Sequence, residues 1–177
     1  MLKVAVIGHG YWGKNIARNF AQSEEFSLDF EIGFDTSAID CQERFFARTG
    51  ENFKSDIARA RTFGFEREVN AMRDAGLALG GSLQNAVVIG DEKILNEEGL
   101  RYGDEFVRHK ILDCIGDLYT SGYRIVASIE CSRGGHYLTN QLLRKVFQNK
   151  ENFSIIEIKE KNLPHTLINK NFLRSIA

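Results

Sequence analysis

His109, Asp113 and Asp117 are spaced four residues apart. At about 100° per residue they fall at roughly 0°, 40° and 80° of a helical wheel, so one imidazole and two carboxylates share a face. Glu105 and Lys110 flank them. Val107, Ile111, Leu112, Ile115, Leu118 and Tyr119 take the other side, and Phe106 is an exception lying among the polar residues. Side chains at i and i+4 project from adjacent turns and can share a divalent metal. The same spacing equally serves a His–Asp hydrogen bond beside solvated acids, and the pattern alone leaves both open.

A second chemical motif lies near the N-terminus. Gly8-His9-Gly10-Tyr11-Trp12-Gly13 is a GxGxxG loop between the apolar run Lys3–Ile7 and a helical stretch Lys14–Phe20. Glycines so placed let a backbone approach a pyrophosphate and aim a helix N-terminus at it. An acidic ribose partner belongs about 20 residues further on. Asp29, Glu31 and Asp35 lie near that distance, but within an alternating segment that reads as a half-buried antiparallel strand. The parallel-strand pattern does not return. Residues 1–23 therefore read as a Rossmann-like βα stub without a partner sheet, packed wherever it can bury apolar area, with no cofactor-binding residue assigned.

The elements that must position the first group follow from periodicity. Leu28–Asp35 and Arg44–Arg48 read as a strand pair, Asn52–Ala60 as a helix, and Glu66–Ala75 as a helix stopped by Gly76. Asn85–Asp91 reads as a strand from which Lys93–Leu95 returns. Asp104–Tyr119 is a long helix with Gly122 past its end, Tyr123–Glu130 an alternating strand, and His136–Gln148 the last helix. The predicted class is α+β, helices packed on a mostly antiparallel sheet. Three parts are expected: the stub 1–23, a main domain 24–160, and a basic tail 161–177 holding the only proline, Pro164.

Composition bounds the function. The chain has 177 residues, 43% of them hydrophobic, and a net charge of −1. That is enough to bury a core, and it gives no electrostatic case for nucleic acid or an anionic membrane. No apolar run approaches the roughly 20 residues of a membrane-spanning helix. Cys41, Cys114 and Cys131 form no CxxC pair and leave an odd thiol, which argues for a reducing compartment. Cys114 and Cys131 read as small hydrophobes.

The segment Glu105-Phe-Val-Arg-His-Lys-Ile-Leu-Asp-Cys-Ile-Gly-Asp-Leu-Tyr119 resembles a signature of the UDP-3-O-acyl-N-acetylglucosamine deacetylases. These are zinc hydrolases of lipid A synthesis in Gram-negative bacteria. Ala60–Phe65 looks like the family's substrate loop and Gly76–Ala86 like its acyl-passage segment. Leu95–Tyr102 and Gly135–Asn140 also fit, in order, so the resemblance covers about residues 26–160. The string Val4–Phe20 separately resembles the start of glucose-fructose oxidoreductase-like dehydrogenases.

The deacetylase resemblance implies roles. His109 and Asp113 would be two zinc ligands. His136 would be the general acid that protonates the leaving amine, and Asp117 the carboxylate that orients it. Lys110 and Thr62 would stabilise oxyanion and substrate, and Phe63 and Phe65 would contact sugar and acyl chain. Gly81 and Ser82 would lie against substrate beside a passage lined by the Glu66–Ala75 helix, Leu77, Leu79 and Ala86. The implied partners are the acylated UDP-sugar and a separate first domain, in the cytoplasm. That first domain supplies the family's third ligand, a histidine, with a neighbouring glutamate as base. This chain has no Glu-His pair, and His9 and His165 lack the family's context. It should therefore show little or no activity alone, and a separately supplied first domain should complement it. The alternatives are a non-catalytic binder of the acyl-UDP-sugar or a partner and, more remotely, an NAD(P)-binding fragment.

Overall fold

The computed structural model describes residues 2–7, 26–48 and 52–158. The glycine loop, the helical stretch after it, the tail from residue 159, His9 and His165 lie outside the described residues.

The architecture is α+β, and the described strands divide among three small sheets. Strand β1 (Leu2–Ile7) lies between β6 (Arg124–Val126) and β8 (Phe153–Ile158). Strand β2 (Ser27–Gly33) lies between β3 (Cys41–Ala47) and β7 (Ser128–Ser132). Strands β4 (Thr62–Phe65) and β5 (Ala86–Ile89) form the third sheet. The helices are α1 (Asn52–Asp56), α2 (Glu66–Asp74), α3 (Glu105–Tyr119) and α4 (His136–Gln148), with a short 3-10 turn at Lys150–Asn152. The β2–β3 and β1–β8 pairings are antiparallel, while β1–β6, β2–β7 and β4–β5 are parallel. The parallel pairs follow from connections that carry a helix, because a parallel partner cannot be reached by a tight turn.

The core forms where β2 meets α3. Alternation along β2 buries Leu28, Phe30 and Ile32 and turns Asp29 and Glu31 outward. From α3, Phe106, Val107, Ile111, Cys114 and Leu118 come down on the same core. Each large apolar side chain so buried stabilises the fold by about 1.5–3 kcal/mol. Tyr119, expected on the apolar side, projects into solvent. Phe106, the expected exception, is fully buried because it packs edge-on against Phe63 of β4, with ring centroids 4.9 Å apart.

Several elements differ from the periodicity. β3 begins at Cys41 because the whole of β2 pairs with it, from Gly33–Cys41 to Ser27–Ala47. The polar start of β3 has a structural use: the Val107 backbone N–H, in the first turn of α3, donates to Gln42 Oε1 at 3.2 Å. Asp104, the N-cap residue, provides no side-chain cap, so the neighbouring strand satisfies this otherwise orphaned donor. Helix α1 stops at Asp56, four residues short of the expected end, and a turn follows in which Ala60 N–H donates to the Ile57 carbonyl at 3.0 Å. The alternating run expected from Tyr123 to Glu130 splits at Ala127, whose carbonyl accepts from Ser27 N–H at 3.1 Å. The two halves serve different sheets. The Lys93–Leu95 return is only a bridge between Ile89 and Ile94. Strands β4 and β8 have no counterpart in the sequence reading. The N-terminal strand, expected to lack a sheet, pairs along its length with β8 and also with β6.

Among the described residues no helix is long and apolar enough to cross a membrane.

Candidate active site

One face of α3 and the first residue of α4 build the site. His109 Nδ1 lies 3.2 Å from the Ala60 carbonyl oxygen. A carbonyl can only accept, so this contact places a proton on Nδ1 and turns Nε2 toward Asp113. Nε2 in turn faces Asp113 Oδ1 at 3.2 Å. Two lone-pair atoms at that separation need a proton or a cation between them, and an imidazole with a carboxylate is a donor set suited to zinc. Burial would raise the Asp113 carboxyl. The His109 hydrogen bond and the charges of His109, Lys110 and His136 outweigh it, holding the group below the ordinary carboxylate range. Lys110 Nζ stands 3.8 Å from Asp113 Oδ2.

His136 sits at the N-terminal end of α4, with its side chain 68% exposed. Its Nδ1 reaches both Asp117 oxygens, at 2.9 and 3.0 Å, and its Nε2 lies 3.9 Å from Asp113 Oδ2. The structure thus brings His109, Lys110, Asp113, Asp117 and His136 together. Among the described residues no group of three or more His, Cys, Asp or Glu side chains is arranged to hold a metal ion. His109 and Asp113 fit such an ion as a pair.

The other predicted site residues are distributed along the walls. Phe63 on β4 is half-buried, edge-on to His109 at 6.4 Å and to Phe34 at 5.8 Å. Phe65 lies tilted against Phe34, with ring centroids 6.3 Å apart, and under the Arg67 guanidinium. Thr62 is exposed at the start of the same strand. Gly81 and Ser82 lie in the exposed loop before β5, where Arg73 donates to the Gly81 carbonyl and Ser82 N–H to Asn85. Helix α2 has no buried residue, and Leu77 and Leu79 are 60% and 78% exposed.

A polar support behind the site is absent from the sequence reading. Glu105, expected to flank the polar face, is fully buried and pairs with Arg61. Its Oε1 accepts from the Arg61 backbone N–H at 2.9 Å and from Nε at 3.0 Å. Its Oε2 accepts from the Arg61 guanidinium at 3.1 Å and from Arg101 N–H at 2.6 Å. Arg61 also donates to the Gly99 carbonyl at 2.8 Å. One residue before α3, Asp104 holds both Arg44 and Arg108. The only signal for Glu105 was its place one turn before His109, which does not say which partner it meets.

Both carboxyls titrate low. Burial would raise Glu105, but hydrogen bonds from the Arg61 side chain and the Arg61 and Arg101 backbones outweigh it. Burial would likewise raise Asp104, and Arg108 and Arg44 overcome that. A depressed folded-state pKa gives stability that is full above the unfolded carboxylate pKa of about 4 and is lost as pH falls through the folded value. Urea midpoints should therefore hold down to about pH 5 and fall steadily below about pH 4. Asp104→Asn should make that fall shallower, and a slope unchanged by the substitution would refute the assignment.

The turn that delivers His136 is tightly packed. A Cβ on Gly134 would lie 2.1 Å from Cys131 Sγ and 3.1 Å from the Phe30 ring. Gly134→Ala should destabilise the chain by about 1–3 kcal/mol in thermal or urea unfolding. Cys131→Ala in the same chain should recover part of the loss, and simple additivity of the two would exclude the clash. Burial pushes the Cys114 thiol up to about 12 and raises Cys131 as well, so neither is a thiolate nucleophile at neutral pH.

The model of the UDP-3-O-acyl N-acetylglycosamine deacetylase family matches residues 10–148. The UDP-3-O-acyl-N-acetylglucosamine deacetylase of Psychrobacter arcticus is 50% identical over 133 residues, covering 74% of this chain and 42% of the relative. That of Aliarcobacter butzleri is 46% identical over 138 residues, covering 78% and 46%. That of Pasteurella multocida is 45% identical over 149 residues, covering 82% and 49%. The chain spans less than half the length of these curated relatives.

Proposed function

Because the chain belongs to the UDP-3-O-acyl N-acetylglycosamine deacetylase family, we propose that it carries one side of a zinc-dependent deacetylase site acting on UDP-3-O-acyl-N-acetylglucosamine, in the cytoplasm. The observation that carries this reading is the His136–Asp117 pair set one helical turn from the His109–Asp113 pair. His109 and Asp113 would hold zinc, whose chemistry when bound is to polarise a carbonyl and activate water.

The chain's own residues do the rest. Asp117 accepts the Nδ1 proton of His136, fixing the ring so that Nε2 faces the site and stabilising the imidazolium. In that state Nε2–H can protonate the amine as the C–N bond of the acetamide breaks. Lys110 is placed to meet negative charge developing on the carbonyl oxygen. Thr62, Phe63 and Phe65 border the substrate. Gly81, Ser82 and the exposed Leu77 and Leu79 would bound the acyl chain.

Two ligands hold zinc weakly, and a third ligand and a base would come from the part of the relatives' length that this chain does not span. We expect no measurable deacetylation by the purified 177-residue chain. Adding a separately produced N-terminal half of the Psychrobacter arcticus relative should give chelator-sensitive acetate release. Robust, chelator-sensitive turnover by the chain alone would overturn the dependence on a second piece. Neither association nor activity on mixing would overturn the shared site. Affinity for the acylated UDP-sugar without turnover in the mixture would favour a binding role instead.

A further inference from the structure

The loop between α2 and β5 carries three exposed leucines, Leu77, Leu79 and Leu83, just after the exposed Met72 of α2. Water drives such side chains inward, so something must hold the loop outward. Two features of its backbone do. Ala78, between Leu77 and Leu79, has a φ of 52°, in the left-handed region that a residue with a Cβ disfavours. Strain of this kind persists only where the surrounding structure enforces it, and it gathers at ligand clamps. The second feature is a buried amide, Asn96. Its Nδ2 donates to the carbonyls of Leu83 at 2.7 Å and Ala86 at 2.9 Å, and its Oδ1 accepts from Val88 N–H at 2.9 Å. One side chain thus fixes three backbone groups where the loop enters β5. Arg101 adds a brace, donating to the Gln84 carbonyl at 3.1 Å and to the Arg59 carbonyl at 2.8 Å. The loop is therefore anchored through its carbonyls, and its leucine side chains are left facing water.

We propose that Asn96 is a positioning residue for acyl-chain selectivity: by fixing the carbonyls of Leu83 and Ala86 it keeps the leucine-bearing loop extended as a ready wall for an apolar chain. Arg101 assists through Gln84. Neither side chain touches the substrate. A wall that is already ordered binds a flexible chain without the entropy loss of ordering the loop at the same time. Once the carbonyls are released, the leucines are free to collapse onto the protein, and a long chain has to displace them before it can bind. The UDP-sugar part of the ligand makes no demand on this loop. Loss of Asn96 should therefore be felt in proportion to the length of the acyl chain.

The inference rests on the deacetylase reading for its ligand, but its test is equilibrium binding and needs no turnover. Titration calorimetry on the full chain compares two UDP-N-acetylglucosamines, one with a long and one with a short 3-O-acyl chain. The wild-type chain should bind the long-chain compound at least about tenfold more tightly, since each buried methylene strengthens binding severalfold. Asn96→Ala should shrink that preference to about threefold or less by weakening the long-chain compound alone. A merely structural role would instead lower the fraction of binding-competent protein and so reduce the stoichiometry with both compounds alike. Arg101→Ala, at an exposed side chain, should shift the preference in the same direction by a smaller factor. If Asn96→Ala does not fold, Arg101→Ala decides on the same criteria. A wild-type chain that binds neither compound, or both equally, would overturn the proposal. So would an unchanged preference in the folded variant, or an equal weakening of both compounds. The deacetylase reading fails separately, in the acetate-release experiment, which does not depend on the ratio of the two affinities.

Discussion

In the enzyme reconstituted from this chain and a first domain, His136→Ala should lower kcat by about 10²–10⁴-fold, the usual contribution of a positioned general acid. KM should change little, because His136 acts on a proton that moves only as the C–N bond breaks. The argument is geometric. His136 is the one imidazole in the group whose Nε2 is not already directed at a ligand within 3.2 Å, and its Nδ1 is anchored on both oxygens of Asp117. Asp117→Ala should cost a large part of the same factor, since the ring would keep its place in sequence but lose its anchor. The two losses should not add, because the residues act as a unit. Steady-state deacetylation by the two single variants and the double variant checks this. A His136→Ala enzyme within a few-fold of wild type would remove the general-acid role.

The largest effect on stability is expected at Glu105. Glu105→Ala should lower the unfolding free energy by about 3–5 kcal/mol, because it leaves the Arg61 guanidinium buried without its partner. Two backbone donors, Arg61 N–H and Arg101 N–H, lose their acceptor at the same time. A domain's whole stability is about 5–15 kcal/mol, so the variant should be close to unfolding at 37 °C. The double substitution Arg61→Met with Glu105→Leu should cost less than Glu105→Ala, since no charge remains to be buried. It should not be neutral, because the orphaned backbone groups persist. Urea unfolding of the three chains separates these terms, and a double variant worse than the single would show that the ion pair itself is not the source.

The sequence made the local periodic elements legible and the long-range contacts illegible. The alternation Leu28, Phe30, Ile32 and the four-residue spacing from His109 to Asp117 are local signals, and β2 and α3 stand close to where these put them. Helix α4 begins at His136, as its amphipathic pattern requires. β4 was hidden because Thr62–Phe65 is too short to alternate and is made a strand only by its pairing with Ala86–Ile89. Phe106 was misplaced on the wheel because a wheel assumes one buried side, whereas α3 has β2 on one flank and β4 on another. Glu105 failed for a related reason. An acid on a polar stripe looks solvated until Arg61, 44 residues earlier in the chain, is seen to meet it. The grouping of His109, Asp113, Asp117 and Lys110 needed only helical geometry. The arrival of His136 beside them needed the fold.

The place of β1 bears on how such a domain tolerates change at its front end. β1 is held by ladders on both sides, six residues against β8 and three against β6. Ladder contacts are made by amide and carbonyl groups, which every residue but proline carries alike. They read the direction and length of an incoming strand and are nearly blind to its vocabulary. Many sequences of the right length can therefore occupy the slot that Leu2–Ile7 fills, while the chemistry on α3 is spelled by side chains and admits no such translation.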